Sequence, residues 1–145
     1  MERLINAWLN SIRAFRRLAA KETAFQQELA LLAVSLPLAW FISGSWRGYA
    51  LLIGAILLLI IVEVLNTGIE ATCDAISREF SIDIQLAKDC GSLAVLISIV
   101  IALAVWGLVG YATILGGSVL QILGFNLSSM HTIPGGLWEV FIGIW

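Results

Sequence analysis

IVEVLNTGIEATCD, residues 61–74, ends an apolar run that begins near Tyr49 and carries Glu63, Asn66, Glu70 and Asp74. At 100° per residue these four polar side chains share one face of a helix. A carboxylate near the hydrocarbon core costs several kcal/mol unless it faces protein, water or a cation. The face therefore marks either a functional site or a polar seam between helices, as Asn and Thr form in membrane bundles.

Composition defines the class of protein around this segment. Of the 145 residues, 60% are hydrophobic and only 12% are charged, and the mean hydropathy is +0.97. These values predict an all-α integral membrane protein. The net charge of −2 is too weak to indicate nucleic acid or another highly charged partner.

The N-terminal segment predicts an amphipathic helix over residues 1–20 that lies on the membrane surface. Its apolar face comprises Leu4, Trp8, Ile12, Phe15 and Leu18. Its polar face comprises Asn6, Asn10, Arg13, Arg16 and Arg17. A soluble helix packed on the rest of the protein is the alternative. Five of the eight Lys and Arg residues lie in the first 21 positions, which favours a cytoplasmic N-terminus by the positive-inside rule.

Three transmembrane spans are predicted, over residues 24–42, 48–74 and 89–109. The turn after the first span reads SGSWRG, residues 43–48, and REFSIDIQLAKD, residues 78–89, predicts a polar cytoplasmic loop.

The C-terminal part predicts a further span. Residues 90–130 carry no charge, a length greater than the roughly 20 residues that one helix needs to cross a bilayer. A fourth apolar span is therefore expected over about residues 111–125, within a C-terminal extension, residues 107–145, to which no role is assigned.

The carboxylates of the second span need a cation, because no basic residue lies inside a neighbouring span to pair with them. Mg²⁺ takes carboxylate oxygens and usually binds together with phosphates. Glu22 and Glu28 stand at the mouth of the first span, and Lys88 and Asp89 at the start of the third. The topology brings them to one membrane face, so a site for a metal and a nucleotide phosphate is expected there.

Three segments carry a resemblance to a known family: KETAFQQE at 21–28, EVLNTGIEATCDAISREF at 63–80 and LAKDCGSLAVLI at 86–97. Together they resemble the small prokaryotic integral-membrane diacylglycerol kinases, over residues 1–106. The resemblance implies phosphoryl transfer from MgATP to the hydroxyl of a membrane lipid. It also implies a homotrimer with active sites shared between subunits, in the bacterial inner membrane.

The resemblance implies roles for the residues that match the family's motifs. Glu63 corresponds to the general base beside the lipid hydroxyl, and Glu22 and Glu70 to the metal-coordinating carboxylates. Lys88 corresponds to the contact with the nucleotide phosphates, and Asn66 supports that site. Further nucleotide contacts are implied for Asp74, Glu79, Asp89 and Arg3, and lipid contacts for Ser92, Trp106 and again Arg3 and Glu63.

Two other functions are compatible with these residues. A related branch of the family phosphorylates undecaprenol, and the same residues would serve it, although AFQQE and AKDCGS resemble the diacylglycerol branch more. A non-catalytic membrane oligomer could also line a polar seam with Glu and Asn, and Lys88 would then be dispensable.

Overall fold

The computed structural model describes residues 1–76 and 81–114, which form four α-helices. These are α1 (Glu2–Lys21), α2 (Thr23–Ile42), α3 (Trp46–Ile76) and α4 (Ile82–Ile114). The last three are long and apolar enough to cross a membrane. The all-α fold with an N-terminal amphipathic helix and three candidate spans is confirmed. Residues 115–125, most of the predicted fourth span, lie outside the described residues.

The first two helices are separated by a single residue. Glu22 has an extended backbone, with φ −102° and ψ 111°, so the helical path breaks between Lys21 and Thr23. Across the break Gln26 Nε2 donates a hydrogen bond to the carbonyl of Ala19 at 3.0 Å, and the rings of Phe15 and Phe25 meet edge to face. No residue of α1 is buried, and part of its apolar face, including Leu4 and Trp8, is left uncovered by the described chain.

A tight turn joins α2 to α3. Gly44 has a φ of +43°, in the left-handed region that favours glycine, and it follows the last residues of α2. Ser45 then caps α3, because its Oγ accepts a hydrogen bond from the Gly48 N–H at 3.1 Å. The predicted turn over residues 43–48 is therefore shorter than expected, since Trp46 already begins the helix.

Helix α4 corrects the sequence prediction at both ends. It begins at Ile82, so most of the predicted polar loop over residues 78–89 is helical. Ser81 precedes the helix and its carbonyl accepts the Gln85 N–H at 2.9 Å, while Asp83 in the first turn suits the positive end of the helix dipole.

At its other end α4 continues to Ile114 without the break expected near residue 110. The physical reason is packing: Val109 and Ala112 are buried, and Thr113 Oγ1 donates a hydrogen bond to the Ile42 carbonyl at 2.7 Å. These contacts keep the chain helical through Gly110.

Helix α3 lies at the centre and packs most extensively against α4 and α2. Small buried side chains, Ala39, Ala55 and Ala102, let the helices approach closely, which is the main source of helix association in lipid. Trp106 Nε1 adds a hydrogen bond from α4 to the Leu52 carbonyl at 3.2 Å. Because the three helices alternate in direction, the start of α2, the end of α3 and the start of α4 meet at one end of the bundle.

Leu52→Ala is expected to lower the free energy of unfolding by about 2 kcal/mol, because Leu52 is fully buried and truncation leaves a cavity. Leu51→Ala is the matched control, since the Leu51 side chain is 53% exposed on the same helix. Chemical unfolding in detergent, followed by circular dichroism, measures both. Equal losses for the two variants would contradict the packing described here.

Candidate functional site

The polar face of α3 is graded by depth. Glu63 and Asn66 are buried, with 7% and 8% of their surfaces exposed, Glu70 is half-buried and Asp74 is exposed. The predicted common face therefore points into the bundle at one end and emerges from it at the other. With a rise of about 1.5 Å per residue, Glu63 and Asp74 are about 16 Å apart along the helix axis.

Asn66 is tied to Glu70 one turn further along α3. Its Nδ2 donates a hydrogen bond to Glu70 Oε1 at 3.1 Å. Its other amide atom, Oδ1, is buried and has no hydrogen-bond partner among the described residues. A buried acceptor without a partner is costly, and a catalytic role, a bound water or a bound ion is the usual reason for one.

Helix α2 contributes a second buried carboxylate, that of Glu28. Only 9% of its surface is exposed, and Oε2 has no hydrogen-bond partner among the described residues. Glu28 is close enough to Glu63 for the two charges to repel each other. The sequence places Glu28 at the mouth of the first span, where a metal and phosphate site is expected. Its burial within electrostatic range of Glu63 is a finding of the tertiary structure.

Glu22 lies at the break between α1 and α2, half-buried and within electrostatic range of Glu63. Glu70 is also within that range. Within residues 1–76 and 81–114, no three Asp, Glu, Cys or His side chains are grouped so that they could hold a metal ion. The two carboxylates of Glu22 and Glu70 nevertheless fit Mg²⁺. This ion commonly takes one or two carboxylates from the protein and its remaining ligands from phosphates and water.

Lys88 crosses from α4 to α3. Its Nζ lies 2.5 Å from Asp74 Oδ1, in the one ion pair found in the described part of the chain. The two side chains are 38% and 62% exposed, so water screens the pair and it adds little to stability. An exposed Lys at the mouth of the carboxylate cluster can exchange this partner for a phosphate.

The other predicted site residues are not joined to this cluster by hydrogen bonds or ion pairs among the described residues. Arg3, Asp89 and Ser92 are exposed and make no side-chain hydrogen bond or ion pair with the described residues. Trp106 packs at the level of Leu52, eleven residues before Glu63 on α3, and is thus about 16 Å away along the axis. Glu79 lies outside the described residues.

An apolar groove between α2, α3 and α4 leads away from the carboxylates. It has a volume of about 290 Å³ and is lined by Leu31, Ser35, Leu59, Ile99 and Trp106, among others. Leu59 is one helical turn before Glu63, and Leu31 is nearly one turn after Glu28. A long apolar molecule in this groove would have one end close to both buried carboxylates.

Comparison with known proteins identifies the family of the chain. The family model of the prokaryotic diacylglycerol kinases matches residues 9–110. The chain belongs to the prokaryotic diacylglycerol kinase family. It is similar to the diacylglycerol kinase of Escherichia coli (strain K12), with 36% identity over 104 residues, 72% of this chain and 85% of that protein.

Two further members of the family extend the comparison. The diacylglycerol kinase of Pseudomonas aeruginosa is 37% identical over 117 residues, 81% of this chain and 91% of that protein. That of Haemophilus influenzae is 34% identical over 104 residues, 72% of this chain and 88% of that protein. The sequence-based assignment to this lipid kinase family is confirmed. The match of 117 residues also includes residues beyond the predicted boundary at 106.

Glu28→Gln is expected to raise the free energy of unfolding by on the order of 1 kcal/mol. The substitution replaces a buried carboxylate with a neutral amide, which removes the cost of burying a charge and the repulsion with Glu63. Thermal unfolding in detergent measures the change, with Glu2→Gln, at an exposed position of α1, as the control. A loss of stability in Glu28→Gln would mean that the native carboxylate has a partner in the folded protein.

Proposed function

We propose that the protein transfers the γ-phosphate of ATP to the hydroxyl of diacylglycerol at the cytoplasmic membrane face, giving phosphatidic acid. The observation that carries the proposal is the cluster at one end of the bundle. There the buried carboxylates of Glu28 and Glu63 lie about one helical turn from the lining of an apolar groove, while Lys88 lies at the exposed side. A reaction between a lipid and a water-soluble nucleotide requires this kind of junction.

Glu63 is assigned as the general base. The lipid hydroxyl oxygen attacks the γ-phosphorus of ATP. The bond between the γ-phosphorus and the β,γ-bridging oxygen breaks, and ADP leaves. The proton of the lipid hydroxyl passes to the Glu63 carboxylate. A lipid hydroxyl stays near headgroup level, so its base has to lie below the membrane surface. The buried position of Glu63, near the start of the apolar groove, supports this assignment.

Lys88 is assigned to the nucleotide phosphates, since phosphoryl transfer depends on positioning and on neutralising the charge of the transferring group. Glu22 and Glu70 would hold Mg²⁺, which supplies further neutralisation of phosphate charge when bound. Asn66 orients Glu70 through the hydrogen bond between them. Asp74 pairs with Lys88, and additional nucleotide contacts are proposed for Asp74, Glu79, Asp89 and Arg3.

The lipid is proposed to lie along the groove, with Ser92 near its headgroup and Trp106 beside an acyl chain. Trp106 lines the groove and supports this placement. Helix α1 is proposed to rest in the membrane interface, because its uncovered apolar face, including Leu4 and Trp8, would otherwise meet water. Its Arg residues favour a cytoplasmic N-terminus in the inner membrane.

Glu63→Gln is expected to reduce lipid phosphorylation at least about a hundredfold, because a missing general base costs that much. Lys88→Ala is expected to lose on the order of a hundredfold, since one charge-stabilising donor is removed. The measurement is transfer of labelled γ-phosphate from MgATP in mixed micelles containing diacylglycerol or undecaprenol. Arg47→Ala, at the opposite end of the bundle, is the control.

Four results of this assay are informative. Labelled phosphatidic acid that depends on Glu63 and Lys88 supports the proposal. Label only in undecaprenyl phosphate would move the protein to the other branch of the family. Full activity in either variant would contradict the assignment of that residue. No label from folded wild-type protein would favour a non-catalytic oligomer.

The protein is further proposed to be a homotrimer with active sites shared between chains. The resemblance to the diacylglycerol kinase family, which implies such a trimer, supports this proposal. Mixing unfolded Glu63→Gln and Lys88→Ala chains and refolding them together is expected to restore part of the activity. If Glu63 and Lys88 of one active site come from the same chain, the mixture is expected to recover no activity. Each variant refolded alone provides the baseline activity.

A further inference from the structure

The contact between α3 and α4 leaves no room for a side chain at Gly91. Gly91 is buried against Asn66. A Cβ added to Gly91 would lie 3.2 Å from Asn66 Cγ and would overlap Asn66 Oδ1. It would also stand 3.8 Å from Asn66 Cα, which is an ordinary van der Waals contact. The collision is therefore with the amide group and not with the end of a long, flexible side chain.

The Asn66 amide has a defined orientation at this contact. Nδ2 donates to Glu70 Oε1 at 3.1 Å, and Oδ1 faces Gly91 without a hydrogen-bond partner among the described residues. Exchanging the two atoms would set Oδ1 against the Glu70 carboxylate, and two acceptors repel each other. The amide therefore connects Gly91 on α4 with the Glu70 carboxylate on α3.

We propose that Gly91 is a positioning residue for the metal-binding carboxylate: its missing side chain makes the space in which Asn66 holds Glu70. The inference rests on the proposed function, in which Glu70 binds Mg²⁺. A methyl group at residue 91 displaces the Asn66 amide, and the Glu70 carboxylate loses its hydrogen bond. Mutating such a partner of a metal ligand typically weakens metal binding by about 10–100-fold.

The same helix supplies matched controls. A Cβ added to Gly107 or Gly110 meets no atom within 4 Å. Because Ala favours the helix over Gly, substitution at these two positions is expected to leave stability unchanged or to raise it. Gly91→Ala has the same helical advantage, so any opposite effect comes from the collision with Asn66.

The first experiment compares wild type, Gly91→Ala and Gly107→Ala. Half-maximal phosphorylation of diacylglycerol is expected to require on the order of tenfold more Mg²⁺ in Gly91→Ala, with an unchanged KM for the lipid. Electron paramagnetic resonance of added Mn²⁺ reports metal affinity without turnover, and it is expected to show the same weakening. Wild-type metal dependence in Gly91→Ala would overturn the proposal, whereas an inactive wild type would instead count against the proposed function.

A second experiment covers the case in which Gly91→Ala unfolds. Asn66→Ala removes the amide that the added methyl group would strike, so Gly91→Ala is expected to be tolerated in that background. Thermal unfolding of the single and double variants measures the coupling between the two positions. Strong destabilisation by Gly91→Ala in wild type but not in Asn66→Ala supports the proposal. The same loss in both backgrounds would mean that Gly91 acts independently of Asn66.

Discussion

A carboxylate in a membrane protein has to face protein, water or a cation, and this requirement governs the arrangement of the bundle. Glu28 on α2 and Glu63 on α3 are both buried between helices and not turned toward lipid. The apolar clusters around Leu52 and Ile56 occupy the rest of the interior. The bundle thus has an apolar part, where its helices pack closely, and a polar end, where its chemistry is proposed to occur.

The two parts contribute differently to stability. Near the α2–α3 turn, the positive φ of Gly44 allows α2 to end and the Ser45 side chain caps α3. The hydrogen bond from Thr113 to the Ile42 carbonyl connects α4 to the end of α2. At the polar end, like charges face each other, and buried acceptors of Glu28 and Asn66 have no partner among the described residues. Such a combination is common in enzymes, where groups are kept for reaction at the expense of folding free energy.

Much of the polar end could be predicted from the sequence, because helical periodicity alone aligns Glu63, Asn66, Glu70 and Asp74. The pairing of Lys88 with Asp74 could not, since fourteen residues of chain and a change of direction separate them. The early start of α4 was missed because charges at 83–89 suggested a loop. Ser81 followed by Asp83 was the available signal for a helix N-terminus.

The sequence by itself determined the class, the three long apolar helices and the family, since hydropathy, segment length and local motifs are properties of the chain in order. Only the tertiary structure decided that Glu28 lies beside Glu63, that Trp106 lies in the groove at the level of Leu52, and that Gly91 faces the Asn66 amide. These features depend on the rotation and depth of one helix against another. Periodicity within a single helix fixes neither the rotation nor the depth of that helix, because packing between helices sets both.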